Sequence, residues 1–149
     1  MKTEDIKKAQ QGWANGIIEI GSFKDNLEEC KKKVNIFLDN YYCFSEKEVL
    51  FKPTKTKIDQ FRFDKRSATS YFVGEDELYK EDKGFALAPW EKIRFENKGF
   101  LFEKNRSIAM GNYYFKAVNS NEEIKVEYTF GYCMGSDGNL KIDLHHSSL

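Results

Sequence analysis

The spacing of apolar residues predicts two amphipathic helices in the first forty residues of the chain. One stripe at helical spacing consists of Ile6, Ala9, Trp13, Ile17 and Ile20. Gly21 and Ser22 mark its end, because glycine commonly follows a helix terminus. A second stripe consists of Leu27, Cys30, Val34, Phe37, Leu38 and Tyr41. Asp25 is a suitable N-cap for this helix, and Glu28 completes a capping box three residues later.

The pattern then becomes extended. Two short extended segments are predicted at 49–51 and 58–61, and Pro53 restricts the first of them to a strand end or a sheet edge. Asp64 can cap a short third helix that Gly74 closes. The residues between this helix and Pro89 are acidic and centred on a glycine, and we expect a loop there.

The last sixty residues predict an antiparallel meander of four strands. The strands are expected at 92–103, 106–118, 124–133 and 140–145. In the first of them the alternation changes phase at Asn97-Lys98-Gly99, which indicates a bulge or a tight turn. Helices followed by a meander indicate an α+β fold, with helices packed on a curved, mostly antiparallel sheet. The hollow between the two layers is the expected ligand site.

Composition excludes several classes of protein. A chain of 149 residues has the size of one domain, and we expect a single domain over 1–149. Its net charge of zero argues against a nucleic-acid partner, and no apolar run is long enough for a membrane span. The N-terminus lacks the apolar core of a signal peptide, so a cytoplasmic location is expected. Three cysteines without a CxxC pair and two adjacent histidines predict neither a bound metal nor another cofactor.

The end of the chain resembles the nuclear transport factor 2-like superfamily. The resemblance rests on the order of elements and on Thr129-Phe130-Gly131-Tyr132, Asp137-Gly138 and Leu144-His145-His146-Ser147-Ser148. Within the superfamily this ending is similar to SnoaL-like proteins and to the association domain of calcium/calmodulin-dependent kinase II. The resemblance implies a cone-shaped, cystatin-like roll that dimerises through its sheet. His146 and Ser148 match the His-x-His-Arg-Ser ending of the association domain, whereas Ser147 replaces the arginine that binds small carboxylates there.

His146 is the leading candidate for acid–base catalysis and for ligand binding. It continues the apolar alternation of residues 140–144, so it is expected to enter the hollow while His145 points away. Histidine is also the side chain whose ordinary pKa lies nearest neutrality. In the hollow, apolar surroundings are expected to lower the pKa of His146.

Other candidates for the ligand site are a cation, an amide and several amphipathic aromatics. Arg94 presents a planar guanidinium that suits a carboxylate, although a surface ion pair with Glu96 or Glu127 is the more common role for such a residue. The remaining candidates share ring systems or polar groups within apolar stretches; they are Tyr71, Trp90, Asn112, Tyr114 and Tyr128.

Three functions are compatible with these features. The first is a small-molecule-binding module with an aromatic-lined pocket and an unidentified ligand, and this is the function we expect. The second is a SnoaL-like isomerase, cyclase or hydratase that uses His146. The third is an oligomerisation module of the association-domain type. In each case a homodimer or higher assembly is expected, because Thr129, Gly131 and Cys133 give the outer phase of the sheet small or weakly polar side chains.

Overall fold

A computed structural model describes residues 1–149 and shows helices packed on one face of a five-stranded curved sheet. The helices are α1 (Thr3–Ser22), α2 (Leu27–Tyr41) and α3 (Lys65–Val73), with one 3₁₀ turn at Phe85–Leu87. The strands are β1 (Leu50–Lys52), β2 (Trp90–Phe102), β3 (Arg106–Ala117), β4 (Glu123–Met134) and β5 (Leu140–Ser148). The strand order is β1-β5-β4-β3-β2, and only the β1–β5 pair is parallel. The predicted α+β fold is confirmed.

The helices begin and end for local reasons that the sequence predicted in part. α1 and α2 bury most of the two apolar stripes. The N-cap of α2 is Asn26, whose side-chain oxygen accepts a hydrogen bond from the backbone N–H of Glu29 at 3.1 Å. The predicted cap at Asp25 and its capping box with Glu28 are therefore wrong by one residue. The predicted cap of α3 is correct, since Asp64 accepts from the backbone N–H of Ser67 at 2.8 Å.

The predicted extended segment at 58–61 is a loop and joins no strand. Its backbone donors bind a carboxylate instead of a neighbouring strand. Glu81 accepts hydrogen bonds from the N–H groups of Lys57, Ile58 and Asp59 at 2.7 to 3.3 Å. A carboxylate that satisfies three consecutive donors removes the need for strand pairing.

Two β-bulges, one in the middle of β2 and one in β5, set which side chains of the sheet face the helices; a further register shift lies at the start of β2, between Trp90 and Lys92. In β2, Asn97 pairs with Gly111 while Gly99 pairs with Met110, so Lys98 is the extra residue of the predicted irregularity. In β5, Leu144 pairs with Gly131 while Ile142 pairs with Tyr132, so Asp143 is extra there. The second bulge was not predicted, and it reverses the alternation for the rest of β5.

The core lies between the inner face of the sheet and the helices. It contains 29 buried hydrophobic residues, among them Trp13, Phe51, Phe72, Tyr113 and Phe130. The ring of Trp13 lies 5.7 to 6.3 Å from those of Phe37, Phe95, Tyr113, Phe115 and Phe130, in tilted and edge-to-face arrangements. No helix is both long and apolar enough to cross a membrane.

The bulge in β2 brings two backbones close together at Gly111, and this contact is testable. A Cβ at Gly111 would overlap the carbonyl oxygen of Glu96, whereas a Cβ at Gly99 would meet no atom within 4 Å. We expect Gly111→Ala to lower the free energy of unfolding by about 1–3 kcal/mol, as overpacking does. Gly99→Ala is the matched control and should change it by less than about 1 kcal/mol. Urea denaturation measures both, and equal effects would contradict this account of the bulge.

Candidate functional site

His145 is buried on the inner face of β5, with 3% of its surface exposed. In a regular strand His145 would face outward. Because Asp143 is an extra residue in β5, the alternation is reversed after it and His145 faces the helices. Phe51 on β1 stacks on the imidazole at a centroid distance of 4.7 Å, and Phe130 on β4 lies 4.1 Å away. The imidazole is thus enclosed between two phenylalanine rings in the middle of the fold.

Three hydroxyl groups from three different elements occupy the two ring nitrogens of His145. The Tyr42 hydroxyl, at the end of α2, lies 2.8 Å from Nδ1. The Ser147 hydroxyl on β5 and the Tyr113 hydroxyl on β3 lie 2.9 Å and 3.1 Å from Nε2, and they also contact each other. We call His145, Tyr42, Tyr113 and Ser147 the histidine cluster. Every polar side-chain atom in it has a hydrogen-bond partner.

The direction of these hydrogen bonds follows from Trp13. Its indole N–H can only donate, and it lies 3.1 Å from the Tyr42 oxygen. Tyr42 therefore accepts from Trp13 and donates its own proton to Nδ1 of His145, because otherwise that buried proton would have no acceptor. The imidazole then carries its proton at Nε2 and donates toward Ser147 and Tyr113. The hydrogen bonds therefore all run in one direction, from the indole of Trp13 on α1 through Tyr42 and His145 to the hydroxyls on the sheet.

Burial keeps all members of the cluster uncharged at neutral pH. It holds the pKa of His145 well below its ordinary value, and the neighbouring His146 adds to this shift. Burial likewise raises the pKa of Tyr42 and of Tyr113, although their hydrogen bonds to Trp13 and Ser147 oppose the shift in part. The site therefore presents a neutral imidazole and protonated hydroxyls.

A surface cleft lies beside α3 and the 3₁₀ turn, and no member of the histidine cluster lines it. This loop cleft has a volume of about 380 Å³ and lies between Lys55, Tyr71 on α3 and residues 81–90. The Tyr71 hydroxyl accepts a hydrogen bond from the backbone N–H of Lys55 at 3.3 Å. The half-buried hydroxyl of Thr54 interacts with the hydroxyls of both Tyr71 and Tyr113. Thr54 and Tyr71 thus connect the cleft to the cluster.

A buried arginine fixes the two loops that border the cleft. Arg62 is fully buried and forms a bidentate ion pair with Asp82 at 2.7 and 2.8 Å. It also donates to the backbone carbonyls of Asp59 and Ser67, at 2.8 and 3.0 Å. Bidentate pairing and backbone contacts satisfy the planar donors of a guanidinium, which makes its burial tolerable. The mouth of the cleft is held by this arginine.

Three of the residues proposed from the sequence point inward, but they do not form one site. Tyr71 and Trp90 both line the loop cleft, and Trp90 donates from its indole to the Phe85 carbonyl at 2.8 Å. Tyr128 is buried elsewhere in the core, where its hydroxyl donates to Asn97. The proposed grouping of these three rings around one ligand is therefore not what the structure shows.

The other four proposed residues lie on the outer face of the sheet. Arg94 forms a bidentate ion pair with Glu123 at 2.8 Å and covers the ring of Tyr114 at 3.9 Å. Asn112 lies on the same face in register with Glu96. His146 is exposed, so the expectation that it enters the hollow is wrong, and His145 takes that place. The physical reason is the extra residue in β5.

Sequence analysis missed most of the histidine cluster. Tyr42 and Tyr113 are not among the candidates proposed from the sequence, and Ser147 appeared only as a substitution. No local signal was available for the bulge in β5, because Asp143 occupies a polar position of a regular alternation with Leu140, Ile142 and Leu144.

No three or more His, Cys, Asp or Glu side chains lie close enough together to hold a metal ion. The absence of a metal and of other cofactors stays a prediction of the sequence.

Comparison with known proteins identifies the family. A family model described as metal-independent carbonic anhydrase matches residues 4–149. The chain belongs to the metal-independent carbonic anhydrase family. A metal-independent carbonic anhydrase from Nostoc sp. is 31% identical over 148 residues, which cover 97% of this chain and 72% of that protein. The crystal structure of a cyanobacterial iota-carbonic anhydrase complexed with bicarbonate matches with a TM-score of 0.94 and 30% identity, covering 100% of this chain and 92% of that one.

The broader resemblance to the nuclear transport factor 2-like superfamily is confirmed at the level of fold. A superfamily protein of unknown function from Shewanella oneidensis matches with a TM-score of 0.59 at 15% identity, covering 100% of both chains. The finer assignments are corrected. Membership of the metal-independent carbonic anhydrase family replaces the expected binding module with an unidentified ligand, and the resemblance to an association domain is not supported.

The buried state of His145 predicts a dependence of stability on pH. The unfolded chain takes up a proton at this residue below about pH 6.5, whereas the folded chain, with its lowered pKa, does not. The free energy of unfolding should therefore fall as the pH drops from about 6.5 to 5, by as much as about 1.4 kcal/mol per pH unit. Urea denaturation across this range should show that slope in the wild type and in His146→Gln. His145→Gln should lack it; an unchanged slope in that variant would contradict the assignment.

Proposed function

We propose that this chain catalyses the reversible hydration of carbon dioxide to bicarbonate, with the histidine cluster at its active site. The observation that carries the proposal is a buried, neutral imidazole with hydroxyl groups at both nitrogens, which Thr54 and Tyr71 connect to a cleft. Support comes from the structural relative that was crystallised with bicarbonate. A small-molecule ligand was expected from the sequence, and bicarbonate gives that expectation its chemical class.

The surroundings of the cluster suit both sides of the reaction. Carbon dioxide is linear and apolar, and the rings of Phe51, Tyr71 and Phe85 offer an apolar wall beside the polar groups. Bicarbonate is an anion with oxygen acceptors. The hydroxyls of Thr54, Tyr71 and Tyr113 remain protonated in this environment and can donate to such oxygens. Donors that are already ordered stabilise the negative charge as it develops.

Hydration also releases a proton, since water and carbon dioxide give bicarbonate and H⁺. The hydrogen bonds that start at Trp13 keep the imidazole proton at Nε2, where neutral His145 donates to the Ser147 hydroxyl. The Ser147 oxygen is thereby held to accept a hydrogen bond from the attacking water, and the released proton passes to solvent water in the loop cleft. In this scheme His145 orients the attacking water through Ser147, while the hydroxyls of Tyr71 and Tyr113 bind the product.

The proposal is tested by the rate of carbon dioxide hydration, measured by stopped flow with a pH indicator. Protein dialysed against a strong chelator should retain its activity. Ser147→Ala and His145→Gln should each lower the rate by about 100-fold or more, which is the usual effect of misplacing a reacting group. His146→Gln, the matched control on the same strand, should keep the wild-type rate.

Circular dichroism of each variant controls for folding. Loss of activity in His146→Gln alone would favour the original assignment of His146 and reject the cluster. No activity in the wild-type protein would reject the function itself.

We further propose a homodimer formed through the outer face of the sheet. Of the small residues that suggested such an interface, Gly131 is not available to a partner subunit, because Arg106 of the same chain covers it. The apolar surface lies further along the sheet, where Leu101 and Met110 are 66% and 57% exposed. Exposed apolar residues of this kind mark interaction surfaces. The cytoplasmic location stays a prediction from composition.

Light scattering tests the assembly. The wild-type protein at tens of micromolar should have the mass of a dimer or a larger assembly. A double substitution, Leu101→Glu with Met110→Glu, should shift it to the monomer without changing its circular dichroism, because two carboxylates oppose burial in an interface. A monomeric wild type would contradict the proposal.

A further inference from the structure

Two of the three cysteines lie side by side although 90 positions separate them in the sequence. The sulfur atoms of Cys43 and Cys133 are 3.0 Å apart, and both thiols are free. Cys43 follows the end of α2 and is buried, whereas Cys133 near the end of β4 is partly exposed. Cys30, the third, is buried in α2 and donates to backbone carbonyls.

The backbone holds both cysteines against the same short stretch of β5. The N–H of Cys43 donates to the carbonyl of Ile142 at 2.9 Å. Cys133 pairs with Lys141, the preceding residue of that strand. A disulfide has a sulfur–sulfur distance of about 2.05 Å, so closure requires the two sulfurs to approach by only about 1 Å. Two anchored thiols at this separation are positioned to form a bond.

Burial favours reaction at Cys133 first. Lys47 and Arg106 both bind the carboxylate of Asp143 beside the two thiols. Burial and the neighbouring Cys133 raise the pKa of the Cys43 thiol, which keeps it protonated and unreactive toward a dissolved oxidant. Cys133 is the thiol that solvent reaches, so a dissolved oxidant meets it first.

We propose that Cys43 and Cys133 are a redox modification site that a peroxide closes to an intramolecular disulfide. The Cys133 thiolate attacks one peroxide oxygen, the O–O bond breaks, and a sulfenic acid and water are formed. The Cys43 sulfur then attacks the sulfenic sulfur, and the second oxygen leaves as water. Two thiols lose two protons and two electrons in total, and the peroxide takes up both. A dithiol reductant reverses the change.

Closure would act on the histidine cluster through one peptide bond. Cys43 directly follows Tyr42, whose hydroxyl binds both Nδ1 of His145 and the indole of Trp13. A shift of Cys43 toward β4 moves the backbone that positions this hydroxyl. The disulfide therefore changes the hydrogen bonds of His145 without any new contact to the cluster. The effect of the disulfide on the activity rests on the proposed carbon dioxide hydration, whereas closure of the disulfide does not.

Thiol counting on the full chain tests closure. The reduced protein has three thiols under denaturing conditions, and treatment with hydrogen peroxide should leave one. Peptide mapping should find a cross-link between Cys43 and Cys133, and dithiothreitol should restore all three thiols. Cys30→Ser is the matched control and should still form the cross-link. Cys43→Ser and Cys133→Ser should form no intramolecular disulfide.

Several results would overturn the proposal. They are an unchanged thiol count, a cross-link that involves Cys30 or joins two chains, and oxidation of Cys133 to a sulfinic acid with Cys43 left free.

The activity assay is a separate measurement. Peroxide should slow carbon dioxide hydration several-fold in the wild type and leave Cys133→Ser unchanged; equal rates for oxidised and reduced wild type would overturn the link through Tyr42. An inactive reduced protein would reject the proposed function alone, since the thiol count still decides closure.

Discussion

The rest of the site depends on one extra residue in the last strand. Asp143 stands between Ile142 and Leu144 without a partner on β4, and its carboxylate binds Lys47 at 2.9 Å and also Arg106. Burial opposes ionisation of this carboxyl, but the two cations outweigh burial and lower its pKa. Since side chains alternate faces along a strand, the extra residue turns every later side chain to the other face. It thereby moves a histidine from the surface into the core.

A buried imidazole is tolerated only when both nitrogens find partners, and the fold supplies them from separate elements. Tyr42 comes from the end of α2, Tyr113 from the centre of the sheet, and Trp13 fixes the direction of the proton at Tyr42. Aromatic rings exclude water and lower the effective dielectric around these groups, which strengthens each hydrogen bond. The same exclusion keeps His145 neutral. Neutrality and ordered donors together make the cluster suited to orienting a water molecule and binding an anion.

The mouth and the floor of the site are held by different interactions. At the mouth, Arg62 and Glu81 bind the backbone of the loops near the cleft through charge-assisted hydrogen bonds. At the floor, the backbone of Cys43 is fixed on β5 next to the bulge, so that Tyr42, Cys43 and Asp143 form one connected region. A shift of Cys43 therefore reaches the imidazole through the peptide bond to Tyr42 and the hydrogen bond from Tyr42 to His145. The loops at the mouth of the cleft need not move.

The sequence by itself determined the order and type of nearly all elements, because apolar periodicity reports which face of a helix or strand is buried. It also located the irregularity at Asn97-Lys98-Gly99, where the change of phase is visible within one strand. It could not decide between His145 and His146, because that choice depends on the register between two strands and on the cations that hold Asp143. The members of the cluster are likewise far apart in the chain and are ordinary core residues in isolation. Only tertiary packing, which brings α2, β3 and β5 to one imidazole, turns them into a site.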